Sequence, residues 1–204
     1  MASKSSSEGN KHSFASLLLV IVLFGSLAVM AFVPVKTFDD LRSKEQRQIV
    51  AWLGEDSDQW IMERILDALT VVNHEAGDAM EQAAQSGNKK IDTWVVERVH
   101  AAAIWTHIFL YRIGMIGMWL VFALPCLLAA FIDGYYQREI AKASFTSQSP
   151  RLHKAGVDLA KLVAICLVVW LFAPIFVSTI VAPVAIAVLS FSWWVWMANL
   201  QKRI

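Results

Sequence analysis

Asp133–Lys161 reads DGYYQREIAKASFTSQSPRLHKAGVDLAK, a polar connector with Lys or Arg at 138, 142, 151, 154 and 161, and it decides the fold. Ile113–Ile132 before it and Leu162–Gln201 after it contain no Asp, Glu, Lys, Arg or His. About 20 apolar residues span the hydrocarbon core of a bilayer, and charges follow them in only at high cost. A charged segment held between two such runs therefore belongs at a membrane surface.

Composition supports that placement. The chain has 204 residues, of which 57% are hydrophobic and only 17% charged. That balance excludes an ordinary soluble domain of this length and implies an all-α integral membrane protein. Cys126 and Cys166 both fall inside uncharged runs. Buried, inert thiols fit there better than a disulfide or a metal-binding pair.

Towards the N-terminus, residues 1–13 form a Ser-rich leader expected to be disordered. Residues 14–33 are uncharged and closed by Pro34, which gives a first transmembrane helix. The length favours an uncleaved anchor, although small residues at 26, 28 and 31 leave a cleaved signal as the alternative. Residues 34–112 differ in texture: from 35 to 111 there are thirteen Asp or Glu against eight Lys or Arg. Thr37 and Asp40 suggest a capping box opening a helix that Gly54 stops. Ile61, Ile65, Leu69, Val72, Ala76, Met80 and Ala83 then mark the apolar stripe of a second helix, with Gly87 as its end. A third helix starting near Ile91 or Asp92 meets no Gly or Pro before Gly114, so it can run directly into the next span.

Residues 113–132 give the second span, with Pro125 as a site of kinking. The 40 residues of Leu162–Gln201 suit two crossings, 162–179 and 184–200, turning at Thr179–Pro183. One crossing followed by an interfacial helix is the rival reading. Four spans place the leader, the connector 133–161 and the tail 201–204 on one side. The positive-inside rule makes that side cytoplasmic and puts the acidic helical segment in the periplasm. Trp193, Trp194 and Trp196 near the end of the last span, and Trp105 near the start of the second, fit interfacial belts. The expected location is a bacterial inner membrane, multi-pass, with both termini cytoplasmic.

Candidate chemistry is sparse. NHEAGD at 73–78 begins like a zinc-protease helix, but Asp78 stands where the second His is required, so a solvated polar face is the better reading. His100 and His107 are seven residues apart on one helix face and could share a proton or ion, yet polar residues at a membrane mouth explain them as well. The spans lack the ionisable residues of a proton relay, and the chain has no phosphate-binding glycine loop or nucleophile elbow. No enzymatic activity, metal or cofactor is expected. Five dispersed basic residues in the connector are too few for a nucleic-acid footprint, so direct DNA contact is not expected either.

The connector's pattern is Asp133-Gly134, Arg138-Glu139, Phe145, Ser147-Gln148-Ser149 and His153. It resembles the integrating conjugative element membrane protein family (domain of unknown function 4400), found among type IV secretion genes for DNA transfer. The layout of anchor, helical extracytoplasmic region and further spans extends the resemblance over most of the chain. The resemblance implies an inner-membrane accessory or docking protein of conjugation. Its partners would be other membrane proteins of the transfer machinery, such as the coupling ATPase, and a homo-oligomer is compatible with it. An entry-exclusion or sensor protein acting through the periplasmic segment is the alternative. Independently, the residues suggest a membrane-exit turn at Asp133 and Gly134, with Asp133 either pairing Arg138 or capping the turn at Gly134, and Ser149 as an N-cap before Pro150. The candidate docking set is Asp133, Gly134, Arg138, Ser149 and His153.

Overall fold

The computed structural model describes residues 20–22, 24–26, 28–84, 89–144 and 149–200. Five helices follow one another: α1 Val35–Leu53, α2 Glu55–Ala84, α3 Lys89–Ala143, α4 Pro150–Phe172 and α5 Val181–Ala198. Helical turns between Val20 and Phe32 precede α1, and the described residues contain no strand. The leader and the Gly87 stop expected from sequence lie outside the described residues.

α1 begins at Val35 immediately after Pro34, and the Thr37 amide donates to the Pro34 carbonyl. Thr37 is thus already inside the helix, and the capping box expected there does not form. Proline accounts for the earlier start, since its fixed φ breaks the preceding turns and readies a new helix. Gly54 ends α1 with φ +85, its amide donating to the Val50 carbonyl at 3.0 Å. Glycine alone adopts this left-handed conformation without cost, which lets α2 start at the next residue. Glu55, Asp56 and Asp58 then occupy the positive end of α2.

α3 has 55 residues, about 80 Å at 1.5 Å per residue, and runs unbroken past Pro125. That length is well over the roughly 30 Å of a bilayer's hydrocarbon core. The connector is consequently much shorter than its 29 residues suggest. Asp133–Ala143 continues α3, and Pro150 opens α4 with the Leu152 amide donating to Ser149 Oγ at 3.4 Å. Ser149 and Pro150 play the N-cap and first-helical roles expected of them.

The hairpin near the C-terminus turns earlier than expected. α4 stops at Phe172 because Ala173 precedes Pro174, and residues 173–180 form the break. Pro183 lies in the first turn of α5, where an amide has no intrahelical partner to lose. The turn expected at Thr179–Pro183 therefore sits at 173–180. Three helices, within Asp92–Ala143, Pro150–Phe172 and Val181–Ala198, are long and apolar enough to cross a membrane. Among the described residues, which leave out 14–19 of the expected first span, a fourth crossing arises only if Val20–Phe32 and α1, bent by 110°, count as one span.

The contacts divide into two units. The first combines the chain up to Lys44, Asp67–Phe109 and Phe172–Ile175. Its core is Phe38 and Leu41 of α1 against Ala101, Ile104 and Ile108 of α3, with Val29, Val33, Val35 and Trp105 around them. Arg98 donates to the carbonyls of Met30, Ala31 and Val33, satisfying acceptors exposed where the turns before Pro34 end. Trp105 stacks on Phe109 with a centroid separation of 6.1 Å, so its ring is committed to packing within this unit.

The second unit combines Glu45–Leu66, Leu110–Leu171 and the chain from Phe176. Ile61 and Ile65, on the stripe read from sequence, are buried. A Cβ built on Gly114 would lie 2.9 Å from Ile61 Cγ2, so the missing side chain permits the close approach of α2 and α3. Cys126 and Cys166 are free and exposed on their helices, which corrects the expectation of burial. Apolar helix faces in a spanning segment are covered by lipid rather than protein.

Candidate functional site

Two polar clusters stand out in the second unit. The first joins the ends of α3, α4 and α5. Asp133, in the last turns of α3, accepts a hydrogen bond from Trp194 Nε1 at 2.6 Å. One residue on, Gly134 is buried against α5, where a Cβ would meet Met197 Cβ at 3.0 Å and the Trp194 carbonyl at 3.1 Å. From α4, the His153 ring lies 6.4 Å from that of Trp196. Gly156, one turn later, is so close to α5 that a Cβ would meet Ser192 O and Trp196 N at 2.9 Å each. Backbone atoms cannot yield as side chains do, so this crossing demands glycine. Ser192, fully buried at the same place, donates to the Val188 carbonyl at 2.7 Å and leaves no unsatisfied hydroxyl.

Of the five docking candidates, three are therefore built into one frame, Asp133 and Gly134 directly on α5 and His153 beside Trp196, while Ser149 caps α4. The expected pairing of Asp133 with Arg138 gives way to Asp133 with Trp194, because Gly134 continues the helix and aims Asp133 at α5. The exit turn at Gly134 does not exist for the same reason. Arg138 lies one turn further along α3, half-buried, with Nε buried and unpartnered among the described residues. Around this frame Tyr135, Tyr136, Ile140 and Leu152 are exposed, Tyr136 by 60%.

The second cluster escaped the sequence reading. Arg112 and Glu45 are exposed by 0% and 1%. Arg112 Nε donates to both Glu45 oxygens at 3.1 and 3.2 Å, and an Nη donates to Oε1 at 2.5 Å. The other Nη donates to the carbonyls of Trp170 and Leu171 in the last turn of α4, while the guanidinium lies 5.2 Å over the Trp170 ring. Planar bidentate pairing and stacking on an indole are both geometries that Arg satisfies and Lys cannot. A turn along α1, Gln48 donates to Ser178 Oγ at 2.8 Å and accepts from the Thr179 amide at 3.0 Å. Tyr111 donates to Asp58 at 2.7 Å, and Asp58 also accepts from Gln46. α1 thus holds the end of α4 and the 173–180 break. The signal available in sequence was Arg112, a cation directly abutting an uncharged run, with Glu45 amid the apolar positions of α1.

The other candidates do not converge on a site. His74 pairs with Asp78 at 3.2 Å on an exposed face of α2. His100 is exposed and His107 half-buried on α3. No three His, Cys, Asp or Glu side chains are grouped for a metal among the described residues.

Residues 36–201 match the model of a family described as IncC plasmid conjugative DNA transfer protein DtrJ-like. The chain belongs to the DtrJ-like family. Membership ties it to conjugative DNA transfer, in agreement with the conjugation-related resemblance drawn from the connector, under a different family name. The matched region takes in α1 to α5 almost whole, both polar clusters included. No curated protein and no solved structure matches the chain.

Proposed function

We propose that this DtrJ-like chain is an inner-membrane accessory and docking protein of a type IV secretion-like conjugation system, acting through protein contacts rather than catalysis. In this reading both termini and the α3–α4 connector are cytoplasmic, and the acidic helices face the periplasm. The observation that carries it is the frame of Asp133, Gly134, His153 and Gly156 on α5. That frame fixes the last turns of α3 and the first turns of α4, while Tyr135, Tyr136, Ile140 and Leu152 remain exposed among basic residues. Rigid presentation of aromatic and basic side chains lowers the ordering cost of binding a partner.

A photoreactive residue in place of Tyr136, in donor-cell membranes, tests the proposal. The expected outcome is capture of a membrane protein of the transfer machinery, the coupling ATPase being the first candidate. A triple Y136A/I140A/L152A variant that accumulates normally and transfers DNA at the parental frequency would overturn it. A defect seen only when the variant is expressed in recipients would point instead to entry exclusion.

A further inference from the structure

A cleft of about 220 Å³ lies in the second unit between the start of α2 and the apolar part of α3. Asp56, Ser57 and Trp60 form one wall, and Met118, Val121 and Phe122 the other. The two walls differ in kind. Val121 and Phe122 are 65% and 70% exposed within the uncharged run of α3 and offer an apolar surface to an acyl chain. The other wall carries a carboxylate at Asp56, and Arg64 stacks its guanidinium 5.1 Å over the Trp60 ring that lines the cleft. An apolar floor with a carboxylate at its rim is complementary to a molecule that has a hydrocarbon chain and an ammonium in its head. A tryptophan between the two regions suits the boundary of polar and apolar surroundings.

We infer that the cleft holds a phospholipid with a primary amine in its headgroup, of the phosphatidylethanolamine class. The acyl chain lies along Met118, Val121 and Phe122, and the ammonium is recognised by Asp56. An anionic headgroup such as phosphatidylglycerol has no ammonium for Asp56 and meets its charge as repulsion, which gives the site its selectivity. The inference rests on the reading that the apolar run of α3 lies in a bilayer.

The test uses the full chain, expressed in membranes, extracted in mild detergent and analysed by native mass spectrometry. Phosphatidylethanolamine and phosphatidylglycerol of identical chains are added in turn. The parental protein should retain the ethanolamine lipid about fivefold better, as one favourable surface charge contact allows. Asp56→Asn should bring the two lipids near parity, and Val121→Trp, which fills the apolar floor, should weaken retention of both. Equal retention by the parental protein, or an unchanged preference in Asp56→Asn, overturns the lipid site. Recovery of the chain in the soluble fraction overturns the bilayer reading and the site with it.

Discussion

Arg112 and Glu45 are partners 67 residues apart in sequence, joined by bidentate hydrogen bonds and both shut away from solvent. Removing one partner leaves a buried charge uncompensated, at a cost of about 3–5 kcal/mol. Arg112→Gln should therefore lower the thermal unfolding midpoint in detergent sharply. Arg112→Lys should recover only part of the loss, because a lysine cannot supply the fork to Glu45 and the α4 carbonyls together. A joint Glu45→Gln and Arg112→Met replacement should be milder than Arg112→Gln alone. Finding it no milder would show that Arg112's carbonyl contacts, rather than the ion pair, carry the stability.

Gly156 sets the spacing of α4 and α5. Gly156→Ala should destabilise by about 1–3 kcal/mol, since the added carbon meets backbone atoms of Ser192 and Trp196 at 2.9 Å. Gly134→Ala should cost less, its closest neighbour being the Met197 side chain. Gly117→Ala serves as the control, as nothing lies within 4 Å of its Cβ position. The ordering 156, 134, 117 in loss of unfolding midpoint is the measurable outcome.

How far the fold was legible follows from which forces are local. The α2 stripe, the Gly54 stop, the fused third helix and the Ser149-Pro150 start are written in spacing and backbone chemistry, and each appears in the structure. The C-terminal turn was misplaced because Pro174 and Pro183 look alike in sequence. Only their position relative to a helix start separates a breaker from a tolerated first-turn residue. For the docking candidates the contacts within the fold were not legible, since Asp133 reaches Trp194 across 61 residues. The Arg112–Glu45 pair was illegible for the same reason: no periodicity encodes which charge two helices will enclose together.

The Asp133–Trp194 hydrogen bond joins α3 to α5 at the connector. Trp194→Phe keeps the ring's bulk and removes the donor, while Asp133→Ala removes the acceptor. Each should cost about 0.5–1.5 kcal/mol, and the double variant should cost less than their sum. If the frame presents the connector for docking, both single variants should also reduce transfer frequency in donor cells. Additive losses in the cycle would mean that the two groups contribute independently of their hydrogen bond.

Gln48 holds the 173–180 break with both ends of its amide, accepting from the Thr179 amide and donating to Ser178 Oγ. Thr179 is only 2% exposed, so Gln48→Ala strands a buried N–H and should cost about 1–3 kcal/mol. Gln48→Glu keeps an acceptor for Thr179, and the Ser178 hydroxyl can rotate to donate instead of accept. That variant should therefore unfold close to the parental temperature. Ser178→Ala should likewise be mild, because it leaves the Thr179 bond in place. Equal destabilisation by Gln48→Ala and Gln48→Glu would place the importance of residue 48 in its neutral amide rather than in the Thr179 bond.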